Sequence, residues 1–542
     1  MIKLNKNNPE NDLKTKRDFD IRSKYIIILS VICGVSLAIR LFYFPFDIPI
    51  TLDGVDYFSY AMELSRTGSF PHYQNFSNNG WPSFLSIFFS LYKSGNLLDY
   101  MQIQRYLSVA VSVITILPIY LLCRRFFSRQ YAILGAVFFA FDPRLITNSL
   151  LGLTDTFFVL LGITSFYLFL SKNIKAVYAS FGLVALAALV RYEGLLLIIP
   201  FSVMFFVRFR HEKETVAKYF IAFAIFLLIL LPMAYIRVQT TGSDGLTSQL
   251  MGGSDFVSKY VIQGIPEDDD PVPGTDYQNK ASIFASIAIT NLMKYVAWVN
   301  IPILMFFVPV GLFLIAKNRS IKIPDHRIST MILISLFVLI PAFYAYGRGI
   351  QETRYLFLIF PLFYLISIYA VKKVSMRIWI KKVFFMIIIV GVVLASIGFL
   401  EYKKIDYEHE REAFLVAKEI VKVATGINNY SENKYIKPAE LEQNWPSLPQ
   451  SKLGHVALDI VKIPISDQES LEQFIADSKP KGLTHLVVDD SKDNPAFLMD
   501  IITNNKRYDY LTKVYDSEQY GMNYDVRIYK IDYERFSYQH TN

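Results

Sequence analysis

Cysteine is almost missing from this chain. Cys33 and Cys123 are the only two in 542 residues, and both lie in apolar runs. A disulfide framework and a thiolate metal site are therefore excluded. Charge is scarce as well: 19% of residues are Asp, Glu, Lys or Arg, against about 25% in an average soluble protein. Tryptophan occurs four times, at Trp81, Trp298, Trp379 and Trp445. No internal repeat and no low-complexity tract is visible, so the length does not divide into copied modules.

What fills the chain is apolar surface. Hydrophobic residues make up 53% and aromatics 15%, with 44 Phe and 35 Tyr. A water-soluble protein would have to hide most of this in cores, and a lipid-facing protein need not. The net charge of +8 suggests nucleic acid until it is divided along the sequence. Residues 401–542 carry 18 Lys/Arg and 24 Asp/Glu, a balance of −6, which leaves +14 on residues 1–400. The excess base sits with the apolar part. That fits loops flanking membrane spans and not a groove for DNA or RNA, so no nucleic-acid partner is expected.

Runs long enough to cross ~30 Å of hydrocarbon occur near 25–45, 103–123, 131–147, 155–171, 176–191, 193–208, 218–237, 296–316, 328–346, 354–371 and 383–400. They predict an α-helical polytopic membrane protein of about eleven spans. The first run is too long for a cleaved signal peptide, and no small-residue cleavage site follows it. With the N-terminus inside, 25 of the 37 Lys/Arg before residue 401 fall in cytoplasmic segments. The positive-inside rule supports that orientation. An odd number of spans then places 401–542 outside.

Three domains follow: a basic cytoplasmic tail (1–24), a membrane module (25–400) with long outer loops at 46–102 and 238–295, and a soluble extracytoplasmic α/β domain (401–542). The first loop holds an amphipathic helix with Tyr57, Tyr60, Ala61 and Leu64 on one side, then a short apolar piece, Trp81–Tyr92. The second holds an acidic turn, Glu267–Pro271. In the tail, helical patterns at 409–425 and 468–478 alternate with strand-like runs His485–Val488 and Val526–Ile531. Sequons at Asn75 and Asn429 fall outside and one at Asn318 inside, so only the first two are open to glycan.

Charge next to lipid is costly, so ionisable residues at span ends are informative. Four groups share the outer side. Leu52-Asp53-Gly54-Val55-Asp56-Tyr57 offers a carboxylate that can take a proton from a hydroxyl, or merely two solvated acids. Thr154-Asp155 opens a span, where either residue can cap a helix; nearby Asp142-Pro143-Arg144 closes the preceding span. Arg191-Tyr192-Glu193-Gly194 joins two spans with almost no loop. Its charges either pair with one another or hold a lipid phosphate. Arg348 and Glu352-Thr353-Arg354-Tyr355 precede another span and read as an interfacial anchor or a second phosphate contact. Arg40 lies inside the first span, near its outer end.

In this order the motifs resemble the GT-C glycosyltransferases, and more narrowly the protein O-mannosyltransferase and lipid A aminoarabinose transferase branch. Asp53-Gly-Val-Asp-Tyr57 with Ala61, Leu64 and Gly68 resembles that branch's first outer loop. Asn79-Gly80-Trp81-Pro82, Thr154-Asp155, Arg191-Tyr-Glu-Gly194 and Arg354-Tyr355 resemble archaeal members. Gly54 departs from the pattern, standing where the family often has Glu, which leaves Asp56 as the loop's other acid.

The resemblance implies a GT-C fold and transfer of a sugar from a polyprenyl (dolichyl) phosphate donor to an acceptor hydroxyl, with inversion, on the outer face of a cell membrane. It implies Asp53 as general base. Asp56, Tyr57, Arg144, Asp155, Arg191, Glu193 and Arg354 would then surround the substrates. Asp155 would position the acceptor or a cation, and Arg191 and Arg354 would take the donor phosphate. Some members work without metal, so none is assigned, and a divalent cation near Asp53 and Asp155 stays open. The acceptor is a protein, or alternatively a lipid or glycan. The oligosaccharyltransferase catalytic subunit shares this body, but none of the four tryptophans forms its Trp-Trp-Asp-Tyr-Gly motif. A transporter or lipid flippase is the alternative from another class. It calls for mid-membrane charge or broken spans in two related halves, and neither is evident.

Overall fold

The computed structural model describes residues 9–51, 53–71, 79–94, 97–245, 280–317, 325–425, 470–489, 495–503, 507–523 and 525–540. The acidic turn at 267–271 and all three sequons lie outside the described residues. The chain forms two compact units. One comprises 1–44, 53–92 and 103–400, and the other 45–52, 93–102 and 401–542.

The first unit is helical. Its opening elements are α1 (Pro9–Phe42), α2 (Asp53–Thr67), α3 (Gly80–Leu91), α4 (Leu97–Ile114), α5 (Ile116–Cys123) and α6 (Arg129–Ala140). They are followed by α7 (Pro143–Ser149), α8 (Asp155–Phe169), α9 (Ile174–Val190), α10 (Ile198–Phe209) and α11 (Thr215–Thr241). Then come α12 (Lys280–Trp298), α13 (Phe307–Lys317), α14 (His326–Gly347), α15 (Phe360–Ser375) and α16 (Lys381–Thr425).

Among the described residues, seven helical stretches are long and apolar enough to cross a membrane: Ser23–Phe42, Leu97–Cys123, Tyr192–Phe209, Thr215–Thr241, His326–Gly347, Thr353–Ser375 and Lys381–Ala417. Helices α8, α9 and α13 are apolar but shorter. The run 131–147, expected as one span, divides. Helix α6 stops at Ala140, and Asp142 starts α7 by accepting from the Arg144 and Leu145 backbone N–H groups at 3.0 and 3.4 Å. Pro143 at the first helical position needs no donor, so the break occurs where the chemistry permits it.

Arg40, the span charge that could have signalled a transporter, is fully buried within α1. Its guanidinium donates to the Ala140 carbonyl at 3.0 Å, the Ser36 carbonyl at 3.2 Å and the Ser112 hydroxyl at 3.0 Å. A cation thus caps the last carbonyl of α6 and ties α1 to α4. The arginine holds helices together.

The second unit contains a three-stranded antiparallel sheet of β1 (His485–Asp489), β2 (Leu511–Asp516) and β3 (Val526–Ile531), in the order β1-β3-β2. On β1, Leu486 and Val488 point inward and Val487 outward, as the period-2 pattern predicts. They pack with Leu471, Phe474 and Ile475 of α17 (Leu471–Ser478), Leu498 and Ile501 of α18 (Ala496–Ile502), and Phe536 of α19 (Tyr533–His540).

Candidate active site

Three of the quoted motifs converge in the first unit, and two glycines explain how. A Cβ on Gly80 would lie 2.8 Å from the Leu189 backbone, and one on Gly194 would lie 2.6 Å from the Ala188 backbone nitrogen. Only glycine lets the start of α3 and the turn Tyr192–Leu197 close on the last turn of α9. Arg191 follows that turn directly, in extended backbone. It is delivered to a fixed place.

Its guanidinium is enclosed by acids. Nη1 donates to Asp155 Oδ1 at 2.6 Å, Nη2 to Glu193 Oε1 at 2.7 Å and Nε to Glu193 Oε2 at 3.3 Å. All three residues are buried. Asn148 Nδ2 donates to the other Asp155 oxygen at 3.2 Å. Thr154 makes no side-chain cap for α8, so the capping alternative gives way to an ion-pair role for Asp155.

Arg354 occupies the start of the 3-10 turn Thr353–Ile359, leading into α15. Its Nη1 lies 3.0 Å from Asp53 Oδ2, and its Nε pairs with Glu352. The Tyr355 ring meets both arginines, with centroid distances of 5.4 Å to Arg191 and 5.9 Å to Arg354. Arg354 differs from Arg191 in its partners: the Asp53 and Glu352 side chains are 51% and 48% exposed.

Helix α2 brings the remaining first-loop residues. Asp53 is its first residue, where a carboxylate favours the helix dipole. Asp56 is partly buried, and its carboxyl is pushed above the ordinary range by burial and then by neighbouring Asp53. The Tyr57 hydroxyl is hydrogen-bonded to the Thr154 side chain, and burial raises it to about 12. Tyr57 therefore stays protonated and links α2 to the start of α8.

Asp155, Arg191, Glu193, Arg354 and Tyr355 line a cleft whose other walls are apolar: Phe158, Val159, Leu197, Phe337, Val338, Pro341, Phe357 and Leu358. A charged end and an apolar body suit an amphipathic ligand.

Arg144 does not join this group. Its guanidinium is bound to the Ile301 carbonyl and faces the Trp298 and Phe399 rings. One turn later α7 supplies Asn148 instead, a residue sequence reading missed. A polar side chain one helical turn from Arg144 was the available signal. Gln104 was missed as well; it and Trp81 of the Asn79–Pro82 motif both donate to the Gly152 carbonyl, at 2.8 and 3.0 Å.

The sequence left open a divalent cation near Asp53 and Asp155. Asp53 and Asp155 each already face a guanidinium. Among the described residues, no group of three His, Cys, Asp or Glu is placed to hold a metal ion.

Residues 84–236 match the family model of dolichyl-phosphate-mannose-protein mannosyltransferases. The match supports a membrane glycosyltransferase of the GT-C class, the resemblance read from the motifs. It contains Asp155, Arg191 and Glu193 and stops short of Asp53 and Arg354.

Among solved structures, the chain is similar to the oligosaccharyltransferase AglB of Archaeoglobus fulgidus in complex with an inhibitory peptide and a dolichol-phosphate. The identity is 12% and the TM-score 0.49, over 82% of this chain and 62% of that one. It is also similar to ArnT of Cupriavidus metallidurans bound to undecaprenyl phosphate, at 12% identity and a TM-score of 0.45, over 81% and 74% of the two chains. The chain thus spans less than two thirds of the oligosaccharyltransferase's length. No curated protein matches it.

Proposed function

We propose that this chain transfers a sugar from a polyprenyl phosphate to an acceptor hydroxyl at the outer membrane surface. One observation carries the reading: Asp53, a half-exposed carboxylate, is held 3.0 Å from Arg354, which lines a cleft that joins a charged end to apolar walls. The apolar walls suit a lipid chain, the guanidinium suits its phosphate, and the carboxylate suits the incoming hydroxyl. The family matched over 84–236, dolichyl-phosphate-mannose-protein mannosyltransferase, supports a lipid-phosphate sugar as donor and a protein hydroxyl as acceptor.

The step is a single displacement. Asp53 takes the proton of the acceptor hydroxyl as its oxygen bonds the anomeric carbon. The anomeric C–O bond to phosphate breaks on the opposite face, and its electron pair leaves with the polyprenyl phosphate. Arg354 exchanges its exposed carboxylate partners for that phosphate and stabilises the growing charge. Arg191 stays with Asp155 and Glu193, and so fixes Asp155 beside the reacting groups.

The test is sugar transfer by the purified protein in lipid nanodiscs, with polyprenyl-phosphate mannose as donor and a Ser/Thr-containing peptide as acceptor. Wild-type protein transfers sugar and Asp53→Asn does not, although it still binds the donor. Equal turnover in the two proteins would overturn the assignment of the base.

A further inference from the structure

Gln104 lies in α4 with its side chain fully buried. Its single amide nitrogen donates to two backbone carbonyls from separate segments: Gly54 at 3.1 Å and Gly152 at 2.8 Å. Gly54 adjoins Asp53, and Gly152 precedes Asp155 by three residues. Trp81 Nε1 donates to the same Gly152 carbonyl at 3.0 Å, so that oxygen accepts two bonds. Gly152 itself has a φ of +73°, a left-handed turn that aims its carbonyl inward at no steric cost.

Among the described residues, the buried Gln104 carbonyl oxygen has no hydrogen-bond partner. The donors are what the position uses. Glutamate could not supply them when ionised, and methionine has a similar shape with no donor at all.

We propose that Gln104 is a positioning residue that sets the separation of Asp53 and Asp155 by bracing the backbone beside each. The proposal rests on the reading of Asp53 as base and Asp155 as its neighbour in the site. Small misplacements of reacting groups are expensive in rate. Losing the brace therefore lowers kcat, while the apolar cleft and Arg354, which hold the donor, are unchanged.

The experiment pairs turnover with hydrogen exchange on the full-length protein in nanodiscs. Gln104→Met should lower kcat ten- to a hundredfold, with KM for polyprenyl-phosphate mannose within about twofold of wild type. Amide exchange should speed up in 53–57 and 151–155 together. Trp81→Phe removes a donor from Gly152 alone, so it should loosen 151–155 and leave 53–57 as in wild type.

A merely structural glutamine gives another pattern: lower yield and lower Tm with wild-type kcat per folded molecule, which overturns the proposal. Wild-type exchange in both segments of Gln104→Met also overturns it. Wild-type turnover in Asp53→Asn would defeat the assignment of the base instead, and the brace would then stand or fall on the exchange data.

Discussion

Replacing Arg354 by alanine separates a phosphate contact from a surface anchor. In the ligand-free protein, Arg354 pairs with Asp53 and Glu352, whose side chains are 51% and 48% exposed. Pairs of this kind are worth about 0–1 kcal/mol each, so their loss should barely change stability. A charge-assisted contact to a poorly solvated phosphate is worth more, on the order of 2–4 kcal/mol when one partner is removed. That corresponds to roughly thirty- to a thousandfold in rate.

Arg354→Ala should therefore retain the wild-type Tm within a few degrees and lose kcat/KM by that factor. Lysine restores charge but not the planar fork, so Arg354→Lys should recover only part. Glu352→Gln removes a competitor for the guanidinium and should leave turnover within about threefold of wild type. The assay is transfer from polyprenyl-phosphate mannose, normalised to folded protein. Wild-type turnover in Arg354→Ala would remove this residue from the site and the exchange of partners with it.

Arg191→Ala should do the reverse in part. It strands two buried carboxylates, which costs about 3–5 kcal/mol of stability, read as a large fall in Tm; an unchanged Tm would contradict the buried triad. Asp56→Asn should raise stability at neutral pH. The carboxyl is pushed upward in the fold, so its ionised form burdens the native state above the unfolded pKa, and the burden fades as pH falls through the folded value; a gain that grows on acidification would refute this. Protease added to right-side-out vesicles should remove 401–542, and protection of that segment in sealed vesicles would refute the outward orientation.

The membrane class was legible because it rests on composition and run length, which lipid constrains directly. The interruption at Asp142-Pro143 was written in the sequence as a cap followed by proline, yet the apolar run on either side hid it. Asp53, Asp155, Arg191 and Arg354 were legible as charges at span ends. Their pairing was not, since Asp53 and Arg354 are separated by 301 residues and no local period links them. Arg144 misled for the same reason. A cation beside a helix start looks like a ligand contact, and only the packing shows it bound to the Ile301 carbonyl. Gln104 and Asn148 carry no charge, and apart from the place of Asn148 one turn after Arg144, nothing local distinguishes them from satisfied core amides.

The two arginines look alike in sequence, each followed by tyrosine at the entry to an apolar helix. Burial makes them different. Arg191 has both of its acids buried, so withdrawing it toward a ligand would leave two desolvated carboxylates behind, at a cost no single phosphate contact offsets. Arg354 has acids that water can take over, so the same movement costs little. Tyr355 meets both guanidiniums. In the proposed reaction the rigid cation holds Asp155 and the exchangeable one meets the donor phosphate: one fixes geometry, and the other follows the charge as it moves from the sugar to the leaving group.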